Sequence, residues 1–105
     1  MNRKPIKLRA RLKNGITITK ALMYHPMETG LRKDKKTGKT TPAHFIQEVT
    51  CRHNGELKVS MRLGISVSKN PYLQFEFEDG AKGDTLELVW KDNRGETDSA
   101  TTQIR

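Results

Sequence analysis

Hydrophobic and polar residues alternate along several short stretches of this chain. Ile6, Leu8, Ala10 and Leu12 alternate with Lys7, Arg9, Arg11 and Lys13, the period-2 pattern of a strand with one face in a core and one in water. Asn14-Gly15 follows, a pair that tolerates the positive φ of a tight hairpin turn. Ile16-Thr17-Ile18-Thr19 then begins a return strand that runs to about Tyr24. Phe45 to His53 is rich in β-formers, with Val49 and Cys51 on one face, and Asn54-Gly55 predicts a second hairpin into Leu57, Val59, Met61 and Leu63. Gly64 to Pro71 reads as an irregular connection, in which Pro71 pushes Asn70 toward extended geometry.

The alternation resumes in Leu73, Phe75 and Phe77, ends at Asp79-Gly80, and returns in Leu86, Leu88 and Trp90. Asp92-Asn93-Arg94-Gly95 predicts a turn with Gly95 in the left-handed position. Thr97 to Ile104 is a Thr-rich strand with Asp98, Ala100, Thr102 and Ile104 on one side. About seven short strands and no amphipathic helix predict an all-β fold, an antiparallel immunoglobulin-like β-sandwich. Its 105 residues suit one domain spanning 1–105.

One stretch does not follow the alternation. Between Pro26 and Pro42 there is no period of 2 or 3.6, and Arg32, Lys33, Lys35, Lys36 and Lys39 crowd its polar middle. A connection of this length in a small domain is either functional or a solvated loop. Charge is unevenly shared: residues 1–71 hold 16 Lys+Arg against 4 Asp+Glu, and residues 72–105 hold 4 against 8. A formal charge of +8 invites an anionic partner. No segment is apolar enough to span a membrane. The N-terminus lacks the apolar region of a signal peptide, which by itself points to the cytoplasm or to export by an indirect route.

Candidate chemistry is sparse. Cys51 and His53 share one side of a strand, about 6.5–7 Å apart, and His25 and His44 could approach each other because they bracket the long connection. Nothing matches a known ligand pattern, so neither a metal nor a cofactor is expected. Cys51, in phase with Val49, reads as a small core hydrophobe; on an exposed face it would be a thiol able to link to a partner subunit. No catalytic residues can be placed, and the chain is not expected to be an enzyme. A small basic nucleic-acid-binding β domain is the alternative class, weakened because Phe75, Phe77 and Trp90 alternate as core and leave few rings for stacking.

Four motifs, HPMETGLRKDKKTG at 25–38, PAHFIQEVTCRHNG at 42–55, SVSKNPY at 66–72 and GDTLELVWKDNRGE at 83–96, together closely resemble the SoxZ family. The resemblance covers nearly the whole chain. It implies an immunoglobulin-like, non-catalytic scaffold that forms a heterodimer with SoxY in thiosulfate oxidation. SoxY would carry sulfur intermediates on a C-terminal cysteine arm between periplasmic Sox enzymes, which the complex contacts transiently. No glycine-cysteine arm is present in this sequence. The resemblance further implies a periplasmic location reached without a signal of its own, in complex with SoxY. Arg32, Lys33, Lys69, Asn70 and Tyr72 are the candidates for partner or anion contact, with Cys51 the candidate inter-subunit thiol.

Overall fold

A computed structural model describes residues 4–105 of the chain. Seven strands appear where the alternation places them: β1 Lys7–Lys13, β2 Ile16–Leu22, β3 Ile46–His53, β4 Glu56–Arg62, β5 Tyr72–Phe77, β6 Thr85–Asp92 and β7 Thr97–Gln103. The first two hairpins turn through left-handed residues, Asn14 (φ 51°) with Gly15 (φ 78°) and Asn54 (φ 49°) with Gly55 (φ 87°). Asparagine and glycine accept this conformation at little cost, which is why both pairs work as two-residue turns.

All pairing is antiparallel, in a three-stranded sheet ordered β1-β2-β5 and a four-stranded sheet ordered β4-β3-β6-β7. The sheets stack as a sandwich. Their inward positions form two apolar clusters, one around Met23, Ile46, Val49, Leu88 and Trp90 and one around Cys51, Leu86 and Ile104. The sandwich is sealed on one side, where Leu12 N–H donates to Arg105 O and Arg105 N–H donates to Ala10 O (2.7 and 3.1 Å). The other side ends in β4 and β5, whose inward Val59, Met61, Leu73, Phe75 and Phe77 are only half-buried.

The long connection is ordered by its own backbone. Glu28 and His44 bridge its arms with reciprocal N–H···O bonds of 2.7 and 2.9 Å, and Lys33 bridges Thr40 beyond them. Asp34 turns the tip, its carboxylate accepting from Lys36 N–H at 2.7 Å. The middle therefore lacks side-chain periodicity because it has no core to face, yet its arms still pair as a narrow extension of the fold.

Two local expectations are corrected. Asn70 is left-handed (φ 54°) rather than extended, because its N–H donates to His25 O while its side-chain oxygen accepts from His25 N–H, both at 3.0 Å. Leu57, which the alternation sets in phase with Val59 and Met61, is 47% exposed, since a register shift between Cys51 and Arg52 re-aims the start of β4.

Gly80 packs so closely that a methyl group in its place would run into Oγ1 of Thr17 and Cδ1 of Ile104. Gly80→Ala is expected to destabilise the chain by about 1–3 kcal/mol, read as a fall in the urea midpoint with an unchanged slope.

Candidate functional site

The alternation Leu86, Leu88, Trp90 continues in phase to Asp92, so the last residue of β6 also faces inward and is 1% exposed. A buried carboxylate persists only if hydrogen bonds replace its water. Asp92 Oδ1 accepts from the backbone N–H groups of Arg94 and Glu96, both at 2.9 Å, across the turn that Asn93 and Gly95 make. Its Oδ2 is met by Nε2 of His25 at 3.0 Å and Nε2 of His44 at 2.7 Å. The two imidazoles sit edge to face, 4.4 Å apart, and the His25 ring lies edge-on to Trp90 at 5.0 Å.

Burial on its own would raise the Asp92 carboxyl. The hydrogen bonds from His25 and His44, with those from the Glu96 and Arg94 backbone, outweigh it and bring the pKa down to about 2.

Two imidazoles and a carboxylate within 4.8 Å also make a possible cation site. The hydrogen bonding decides against that reading. Met27 N–H donates to Nδ1 of His25 at 3.2 Å, so Nδ1 carries a lone pair and the proton of the neutral ring sits on Nε2, where it points at Asp92. A metal ion at Nε2 would need that lone pair and would force the proton onto Nδ1, against the Met27 N–H. The cluster is a hydrogen-bonded clamp.

The clamp ties together both irregular connections. His25 opens the long connection and His44 closes it, while His25 is joined through paired bonds to Asn70 at the end of the 64–71 connection. Asn93 fastens the same corner, accepting from Phe45 N–H and donating to Ala43 O. Ile46 N–H is directed at the sulfur of Met27 at 3.3 Å.

Among the sequence-predicted residues, Asn70 is thus part of the clamp. Tyr72, 56% exposed, begins β5 directly opposite Leu22, and Lys69 is exposed beside Asn70. Arg32 is held by Glu28 through two bonds of 3.1 and 2.9 Å, with its guanidinium pKa raised by that carboxylate. Lys33 lies next to it, in a shallow basic depression with Arg32, Asp34, Lys35 and Thr41. Lys69, Asn70 and Tyr72 lie together on one segment, with Arg32 and Lys33 further out along the long connection. Cys51 is placed otherwise than a link between subunits would require. It is 1% exposed between Val59 and Leu88, and burial pushes its thiol up to about 11.

Asp92 was missed by sequence reasoning, which took it as a turn residue; its phase with Trp90 was the available signal. The approach of His25 and His44 was anticipated from their positions around the connection.

The architecture defines the class: an immunoglobulin-like β-sandwich with two connections locked together at one end. Residues 6–103 match the family model described as "Sulphur oxidation protein SoxZ", and the chain belongs to the SoxZ family, a component of sulfur oxidation. No curated protein matches it. Among the described residues no helix is long and apolar enough to cross a membrane.

Asp92 has a lower pKa folded than unfolded, so its ionised form contributes stability that is complete above about pH 4 and lost as the pH falls toward about 2. Asp92→Asn is expected to lower Tm at pH 7 and to flatten the acid limb of Tm against pH, followed by circular dichroism. A limb of unchanged steepness would mean that other groups govern acid unfolding. Cys51 is expected to resist a thiol reagent at pH 8 in the native chain and to react stoichiometrically once the chain is denatured.

Proposed function

We propose that this chain, as one domain over residues 1–105, is a non-catalytic scaffold subunit that pairs with SoxY. SoxY would carry sulfur intermediates on its cysteine arm between periplasmic enzymes of thiosulfate oxidation. The observation that carries this reading is the buried Asp92 clamp, which fixes the 25–44 and 64–71 connections to one end of a rigid sandwich. A clamp of this kind suits docking: it holds exposed loops in one shape before the partner arrives, so less conformational entropy is lost on binding.

In this reading SoxY meets the clamped end and the adjoining side bounded by β4 and β5. Exposed Tyr72 and Ile65 and the half-buried inward residues of those strands supply the apolar contact. Lys69 and Asn70 border it. Arg32 and Lys33 stand further out, where they would attract the anionic sulfur group on the arm or the acidic faces of the enzymes that visit it. Family membership supports the role in sulfur oxidation. The periplasmic location, reached by export together with SoxY, follows from the same pairing.

Native mass spectrometry of the tagged chain, purified from thiosulfate-grown cells of its source, tests the proposal. The expected result is a 1:1 complex with a protein ending in a Gly/Cys-rich arm that bears sulfur-sized adducts. Tyr72→Ala combined with Lys69→Glu is expected to deplete that complex at least tenfold while leaving the Tm of the isolated chain within about 2 °C. A lone chain, recovered from cells that demonstrably make the carrier subunit, would sink the reading.

A further inference from the structure

Within the three-stranded sheet, the first half of β2 runs against the rule that a strand turns its apolar side inward. Ahead of the buried Ala21, the inward residues of β2 are Thr17 and Thr19, both fully buried, with hydroxyls that have no hydrogen-bond partner among the described residues. Their neighbours Ile16, Ile18 and Leu22 point outward. A buried hydroxyl without a partner is unfavourable, and outward isoleucines gain little in water. A strand of this polarity is suited to a sheet that is covered on both faces.

The charges on the same face are also unbalanced. Lys7, Arg9, Arg11 and Lys13 project outward from β1, and the register sets Arg9 directly opposite Lys20. Like charges facing each other across a strand pair destabilise it. The ion pairs of the described residues lie elsewhere. The four-stranded sheet shows the contrary arrangement: Glu48 lies opposite both Arg62 and Lys91, and Arg52 lies opposite Glu87. Against Lys20 and the four cations of β1, the outer face of the three-stranded sheet sets one acid of the described strands, Glu76 on β5 opposite Ile18.

A groove of about 700 Å³ follows β1 along the edge of this face, reaching past Leu8 and Ala10 to Thr102 of β7. Its walls include Arg9, Arg11, Lys13, Lys20, Arg105 and Ile18, and among the described residues they contain no acidic side chain and no aromatic ring.

We propose that this groove docks an extended acidic stretch of polypeptide from a protein partner, at a surface separate from the clamped end. Successive outward cations of β1 recur every 6.6–6.8 Å or so, the spacing of alternate residues along any extended chain. Carboxylates on every second residue of such a segment would meet them in turn. Its apolar residues would cover Ile16 and Ile18, and the charge of the segment would relieve the repulsion between Arg9 and Lys20. Without rings the groove offers nothing for bases to stack on, which favours polypeptide over single-stranded nucleic acid.

Fluorescence anisotropy on the full-length chain, without SoxY, tests this with three probes: a labelled peptide of alternating glutamate and leucine, oligothymidylate, and phosphatidylglycerol vesicles. The peptide is expected to bind most tightly of the three and to weaken as salt rises. Lys20→Glu is expected to weaken peptide binding at least tenfold while raising the Tm of the free chain, because Arg9 then faces an opposite charge. Ile18→Thr is expected to weaken binding without lowering Tm. Tighter binding of the oligonucleotide or the vesicles, or peptide binding indifferent to Lys20→Glu, would overturn the proposal. Either failure leaves the pairing with SoxY untouched, since that rests on the other end of the molecule.

Discussion

A single carboxylate, that of Asp92, is the point on which one end of this molecule depends. Taking an ionised side chain out of water is costly unless nearly every lone pair finds a donor. Here the donors come from distant parts of the chain: the two histidines that bound the long connection, and the backbone of the β6–β7 turn. Each donor is in turn held in place. The Met27 N–H fixes the tautomer of His25, and the Asn70 side chain fixes the His25 backbone. Met27 and Asn70 both adopt left-handed backbone conformations to do so, a local strain that persists only where surrounding bonds over-determine it. Loss of the charge would therefore be felt across two loops, far from any single contact.

The strands were legible because each one alternates and because asparagine–glycine pairs punctuate the first two hairpins. Cys51 was legible for the same reason, being in phase with Val49 on a strand buried by its neighbours. The clamp was less so. Turn chemistry in Asp92-Asn93-Arg94-Gly95 describes the backbone correctly and says nothing about where the carboxylate points. Asn70 shows a different limit: the local effect of Pro71 favours extended geometry, and two tertiary bonds to His25 outweigh it. The paired arms of the 25–44 connection left no periodic trace, since a two-stranded extension without a core has no face to keep apolar.

The two sheets also differ in how they treat water. On the four-stranded sheet opposite charges sit across from one another on the outer face. On β2 of the three-stranded sheet Thr17 and Thr19 take inner places and Ile16 and Ile18 outer ones. Sequence choices that disagree with the global fold tend to mark surfaces with a further task. The family's place is in sulfur oxidation.

The seal between Arg105 and β1 bears on the order of events during folding. The β1–β2 hairpin has only local contacts and can form within about 1–10 μs. The bonds from Arg105 to Leu12 and Ala10 join residues more than ninety positions apart, and contacts of that separation form late because chain entropy must be overcome first. Until they form, β1 is half of an isolated ribbon with one bare edge. Thr102 and Arg105 belong to the walls of the basic groove, so the groove comes into being with the final closure, and a partially folded chain has no such groove to offer.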